Sequence, residues 1–312
     1  MKRALVLSGG GAKGAFQYGA LKYIDDHIGS NQSDYRFDII TGVSVGALNG
    51  AMVAMDKLDD LGHIWNTITR DQVYKGSLSP LAAAFRVLLG QQSLLNNDPL
   101  YKQIEQHISL SEIQSWCDFR IGVVSLTTGE YLALNARNMK TDQDLHKAVL
   151  ASTAIPVLWP PVESLQTDLP PEVPPDLVDG GVRNITPLGD VIRDDPREII
   201  IINCESDEVQ RDPEASKNIV NIAKRVVMEL FLNELFLTDV REFLRINSLV
   251  KQAESLGYEL KKPDGTPYVA YRAHNIQPAE NIGETLDFSR ATLDAWIEYG
   301  YQTANDVFST DT

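Results

Sequence analysis

Basic residues are scarce in this chain of 312 residues. Lysine and arginine number 28 against 43 aspartates and glutamates, for a net charge of −15 at pH 7. A protein that tracks a phosphate backbone needs a basic face, so nucleic acid is not an expected partner. The same deficit argues against a polybasic anchor to anionic lipid, while leaving contact through an apolar patch open. Cysteine is nearly absent. The two thiols, Cys117 and Cys204, make no disulfide framework and fit a reducing, cytoplasmic setting. No run of 18 apolar residues occurs, so no segment is expected to span a bilayer. After Lys2 and Arg3 the apolar run Ala4–Leu7 stops at glycines, which is too short for the core of a signal peptide. Apolar residues still make up 43% of the chain and charged residues 23%, as in ordinary folded domains. The length fits one large α/β domain over residues 1–312. Residues 3–205 would form its core, with a helical part, 206–312, packed on it.

Periodicity gives the class. Residues 3–7 read as a short buried strand, stopped by Ser8-Gly9-Gly10-Gly11, and helical spacing follows over 12–27. Residues 37–41 read as a second strand, broken at Gly42-Val43-Ser44-Val45-Gly46, before a small-residue helix over 47–54. Strand, glycine turn and helix, twice in succession, predict a mainly parallel sheet with helices on its faces. Residues 119–127 and 130–135 flank Thr128-Gly129 as a hairpin. Helix is expected over 142–151, 217–254 and 287–308, and strand at 177–178, 198–203 and 268–274. Residues 166–175 hold four prolines and read as a surface loop. The apolar stretch 78–95 reads as a core helix or as a lid that touches lipid.

Three glycine-rich punctuation marks carry the chemistry. Gly9-Gly10-Gly11-Ala12-Lys13-Gly14 fits GxGxxG between strand and helix, the form of a dinucleotide loop. That use needs an acidic ribose partner at the end of the second strand, where Thr41-Gly42 stands; Asp38 lies at the strand's other end. No GK[ST] follows, so a Walker loop is excluded. The same physics serves an oxyanion: glycine lets backbone amides converge, and the helix N-terminus adds positive potential. Gly42-Val43-Ser44-Val45-Gly46 is a GxSxG at a strand-to-helix turn, the setting that exposes a nucleophilic hydroxyl. Asp179-Gly180-Gly181 follows Leu177-Val178. A carboxylate at a strand end can act on a serine directly as general base, although Asp-Gly is also a common turn.

A triad would need a histidine. The five histidines are His27, His63, His107, His146 and His274, and none falls in a Gly/Asp-rich loop at a strand end. His274, expected just at the end of a strand, is the one tolerable candidate.

GGGAKG, GVSVG and DGG, in that order, resemble the patatin-like phospholipases. The block Ala151-Ser152-Thr153-Ala154-Ile155-Pro156 with Trp159-Pro160-Pro161-Val162, and Asn184 with Pro187 after DGG, extend the resemblance over about residues 3–205. It implies a three-layer α/β/α sandwich and a Ser–Asp dyad. Ser44 would be the nucleophile, Asp179 the general base, and the amides of Gly9, Gly10 and Gly11 the oxyanion hole. Gly14, Gly42, Gly46, Gly180 and Gly181 complete the motifs. Lys13 stands where the family carries a basic residue, either supporting the loop or exposed. The implied reaction is acyl transfer from a lipid or phospholipid ester to Ser44, then hydrolysis, at a membrane or micelle surface. The dyad implies no cofactor and no metal. A thioesterase or peptidase on the same site, and a dinucleotide-binding protein using Gly9–Gly14, are the alternatives.

Overall fold

The computed structural model describes residues 2–29, 35–79, 86, 88–167, 172–206, 212–218, 221–222, 225 and 232–310. Its strands are β1 (Arg3–Leu7), β2 (Ile39–Val43), β3 (Asp118–Ser125), β4 (Tyr131–Asn135), β5 (Leu177–Asp179), β6 (Glu198–Ile202) and β7 (Arg272–Ile276). They form one sheet in the order β4-β3-β2-β1-β6-β7, with β5 also pairing β3. β3, β2, β1, β6 and β7 run parallel; β4 and β5 are antiparallel to β3. The runs ALVL and IIII are apolar at every position because both faces of the central strands are covered. Leu5, Leu7, Ile200 and Ile202 enter one core, and Ala4, Val6, Ile199 and Ile201 the other.

The helices that cover these faces are α1 (Gly14–Ile24), α2 (Val45–Ala54), α3 (Leu58–Thr67), α4 (Asp98–His107), α5 (Asp142–Ser152), α6 (Leu232–Ser255) and α7 (Arg290–Thr310). Side chains of α1, α2, α3, α4, α5 and α7 build the larger core. Val240, Phe243 and Leu244 of α6 close the smaller one on the opposite face. The protein is therefore a three-layer α/β/α sandwich, as the strand–helix alternation predicts.

Several boundaries move. The first helix opens with a 3-10 turn at Gly11–Lys13, is α-helical over Gly14–Ile24 and continues as a π-helical turn over Asp25–Gly29. β2 starts at Ile39, after Asp38, whose backbone bonds to Arg3 and Asp118 and whose side chain accepts the Arg3 amide at 2.7 Å. The last strand is Arg272–Ile276, later than 268–274. Tyr268 is held back by Leu260, its amide donating to that carbonyl at 2.8 Å, and Tyr271 by Asn247. Of the stretch 78–95, residues 80–85 and 87 lie outside the described residues; so do parts of 217–231 and of the proline-rich loop.

Candidate active site

Ser44 reaches its position through the sheet. β2 runs parallel to β3 and ends with Val43 opposite Gly122. β5 runs antiparallel to β3 and ends with Asp179 opposite Val123, the next residue along. The two strands therefore meet head-on along one side of β3, and the residues leaving them are Ser44 and Asp179. This approach requires glycine: a Cβ on Gly180 would press into the Gly122 carbonyl, and one on Gly42 would strike the backbone of Gly46. Ser44 itself sits at φ 57° and ψ −124°, a strained conformation for a residue with a side chain. Its carbonyl accepts from Ala47 at 2.9 Å, so α2 begins directly beneath the hydroxyl.

The Ser44 hydroxyl stands beside the Asp179 carboxylate and favours its charged form, and the carboxylate accepts the Gly181 amide at 2.8 Å. Both side chains are buried, at 6% and 5% exposure. Burial raises Asp179 from its ordinary 3.8 to about 7, against the smaller lowering effects of the Ser44 hydroxyl and the Gly181 amide. A carboxylate at that value is half ionised near neutrality and takes up a proton readily, which a general base requires.

Ser152 at the end of α5 braces the pair. Its hydroxyl accepts the Ser44 amide at 2.9 Å and donates to the Gly122 carbonyl at 2.7 Å. Ala154 two residues on accepts the Asp179 amide at 3.0 Å. The serine falls in the ASTAIP block, but nothing in its local pattern announces a partner more than a hundred residues away.

The glycine loop lies against the nucleophile: a Cβ on Gly9 would stand 3.4 Å from the Ser44 Cβ. The structure corrects one expectation here. The Gly9 amide donates to the Ile185 carbonyl at 3.1 Å, so it is not a free oxyanion donor. Gly10 and Gly11 are left as the loop's candidate donors. A Cβ on Gly10 would come within 2.7 Å of Cys204 Sγ, so the loop can pass only as glycine. Burial pushes the Cys204 thiol up to about 12, leaving it a neutral packing group.

Lys13 is not exposed. At 3% exposure it donates to both Glu205 carboxylate oxygens, at 2.6 and 2.7 Å. Further support comes from Gln17, whose amide donates to the Ser8 carbonyl at 2.9 Å, and from Asn49, which donates to Gly14 and Gln17 and accepts from Trp65. Sequence reading missed Gln17, Asn49, Trp65, Ser152 and Glu205.

The structure does not bring His274 to the site. It lies in mid-strand, paired with Ile200, fully buried, 3.4 Å from Glu198 and against the Phe308 ring. His146 is spent on the Ile108 carbonyl at 2.7 Å and His27 contacts the Tyr301 hydroxyl. Asp38, bound to the Arg3 amide, sits at the start of β2, the opposite end of the strands from the glycine loop, which removes the ribose partner a dinucleotide site needs.

A cavity of about 110 Å³ opens beside Ser44 and Gly11. Val45, Leu48, Asn49 and Met52 line it along one face of α2, a run of roughly 10 Å at 1.5 Å per residue. Leu61, Ile64, Trp65 and Ile68 of the α3 region, Ile104 of α4, and Ile155 and Trp159 close its sides. Its far end lies near His107 and Ile108, since the neighbouring Ser109 amide contacts Met55 Sδ just past α2. Asn49, polar within this lining, has its side chain committed to Gly14, Gln17 and Trp65.

The fold and this geometry define an α/β protein with a hydroxyl–carboxylate pair where two strand ends meet. The family pattern of the patatin-like phospholipases matches residues 5–192, and the chain belongs to that family. Its structure is similar to that of VipD from Legionella pneumophila, with a TM-score of 0.43 and 13% identity, covering 99% of this chain and 67% of that one. It is also similar to human GIVD cytosolic phospholipase A2, solved in complex with methyl gamma-linolenyl fluorophosphonate: TM-score 0.40, 13% identity, covering 99% of this chain and 58% of that one. Among the described residues no helix is long and apolar enough to cross a membrane.

Proposed function

We propose that the protein is a lipid acyl hydrolase of phospholipase A type, with Ser44 as nucleophile and Asp179 as general base. The observation that carries this reading is that buried Ser44, beside the buried carboxylate of Asp179, lines an apolar cavity. An ester whose acyl chain fills the cavity presents its carbonyl carbon to Ser44 Oγ. Asp179 takes the hydroxyl proton as Oγ attacks. The carbonyl oxygen becomes an oxyanion, facing the Gly10 and Gly11 amides and the positive end of α2. Collapse breaks the ester C–O bond; the leaving alkoxide takes the proton from Asp179 and departs as lysolipid. Water, deprotonated by Asp179, then attacks the acyl-serine, and the proton returns to Ser44 as the fatty acid leaves. No imidazole takes part.

The cavity supports a fatty acyl substrate rather than a peptide or nucleotide. Its walls supply dispersion and apolar burial, worth about 0.8 kcal/mol per methylene, but few hydrogen-bonding partners for a polar chain. The test is mass spectrometry of Ser44 after reaction with a fluorophosphonate probe, run beside a panel of phospholipid, neutral lipid and thioester substrates. Labelling at Ser44 with release of fatty acid from phospholipid supports the reading. Labelling elsewhere, or turnover of thioesters alone, refutes it.

A further inference from the structure

We propose that the protein seats itself on a neutral lipid surface through an apolar rim formed by Leu88, Leu89, Leu126 and Val157. The inference rests on the acyl-hydrolase reading for its choice of partner, but its evidence lies outside the catalytic pair. Large apolar side chains are exposed here: Leu88 by 84%, Val157 by 63%, Leu89 by 56% and Leu126 by 54%.

Topology puts Leu126 and Val157 beside the catalytic cavity, and the chain just after Leu88 and Leu89 joins them. β3 runs parallel to β2, so the turn after β3, which carries Leu126, lies at the same sheet edge as Ser44. Leu126, Pro156, Val157, Trp159 and Pro161 line one shallow groove, and Trp159 also walls the catalytic cavity. The segment after Leu88-Leu89 is tied to the same place. The Leu94 amide donates to the Val157 carbonyl at 2.9 Å, and the Leu95 amide to Leu158 at 2.8 Å.

Val157 adds an independent observation. Its φ is 73°, a conformation that a β-branched side chain adopts only under strain. Local folding preference would place glycine or asparagine there. The hydrogen bonds from Leu94 and Leu95 hold a valine in that conformation, with its side chain in solvent.

The occupant follows from charge. A net charge of −15 opposes an anionic membrane, and it opposes a second copy of the same chain as well. Asp176 lies in the groove between Leu126 and Val157 and adds a local negative group. A zwitterionic surface takes apolar insertion without needing basic residues. Docking there would set the cavity mouth over the lipid that feeds it.

The experiment uses the full chain carrying Ser44→Ala, so that binding is read without turnover, and flotation with phosphatidylcholine vesicles. The Ser44→Ala protein should bind, with little dependence on salt. Adding Leu88→Asp and Leu89→Asp should weaken binding about tenfold or more, since a charged group resists insertion. Val157→Asn should weaken binding while raising the melting temperature, because asparagine suits a positive φ. A purely structural role would not combine those two changes. As a control, Leu256→Asp and Tyr258→Asp alter exposed groups outside this groove and should leave binding unchanged. With Ser44 intact, the rim variants should still hydrolyse a soluble short-chain ester. Unaltered vesicle binding by the rim variants overturns the proposal. So does binding that requires anionic lipid and vanishes with salt, or a dimer in solution that these substitutions dissociate. Soluble-ester turnover without vesicle binding defeats the docking surface alone. Vesicle binding through the rim in a protein that hydrolyses no ester supports the surface and defeats the catalytic reading.

Discussion

Asp179→Asn is expected to inactivate the protein and stabilise it at the same time. The substitution keeps the shape and an oxygen able to accept from Gly181, but removes the charge. Turnover should fall by about 10²–10⁴-fold, the usual worth of a positioned general base. The stability effect follows from burial. Asp179 has an ordinary value of 3.8 and is raised to about 7 in the folded protein. Between those values the native state holds a proton that the unfolded chain has released, so stability falls as pH rises through about 7. Above pH 7 the buried charge costs as much as about 4 kcal/mol, at ~1.36 kcal/mol per pH unit separating the two values. Asparagine carries no such cost. The variant should therefore melt higher than wild type at pH 8, by roughly 6 °C for a domain of this size, and the gap should close as pH falls toward 4. Wild-type kcat/KM should show an acid limb centred near 7. Thermal melts from pH 4 to pH 8 and a soluble-ester assay of both proteins make the test, with His274→Ala and His146→Ala alongside. Both histidine variants should retain turnover. An active Asp179→Asn, or one no more stable than wild type at pH 8, refutes the assignment of a buried, ionising base. A folded but inactive His274→Ala would point to a Ser–His enzyme.

The remaining expectations concern the nucleophile, its loop and the cavity. Ser44→Ala and Ser44→Gly should both abolish turnover, and the glycine variant should be the more stable by about 1 kcal/mol because φ 57° suits glycine; equal denaturation midpoints would deny the strain. Gly10→Ala places a Cβ against Cys204, displaces the loop's amides and should lower kcat by about 10²-fold with KM less affected; unchanged kcat would remove Gly10 from the oxyanion site. Met52→Trp fills the cavity about 10 Å along α2 from Val45 and should cut hydrolysis of long-chain esters by about tenfold or more while sparing short ones; an unaltered chain-length profile would mean that the acyl chain lies elsewhere.

What could be read from the sequence was what is local. Gly9–Gly11, GVSVG and DGG are punctuation written by backbone demands at single turns, and the structure places Ser44 and Asp179 together where those turns meet. Runs such as EIIII disclosed the doubly covered sheet for the same reason. The misread features depend on distant partners. Gly9 resembled its neighbours until Ile185, from the far side of DGG, occupied its amide. Lys13 could not be recognised as buried without Glu205, nor Ser152 as a brace without Gly122. His274 looked like the end of a strand because Asn247, on α6, fixes Tyr271 and delays the start of β7.

That Asp179 has no imidazole among its partners has a physical counterpart in how it is held. A carboxylate accepting several amide hydrogen bonds is stabilised as an anion and becomes a poor base at neutral pH. Asp179 ends a strand and accepts one backbone amide, with the Ser44 hydroxyl beside it, while burial disfavours its charge. The balance brings a carboxyl group to about 7, the range in which imidazole ordinarily serves. The head-on meeting of β2 and β5 buries this carboxylate beside Ser44. β5, read from the sequence only as a short strand at 177–178, gains its antiparallel pairing on β3 from the fold, and the position of Asp179 beside Ser44 depends on that pairing.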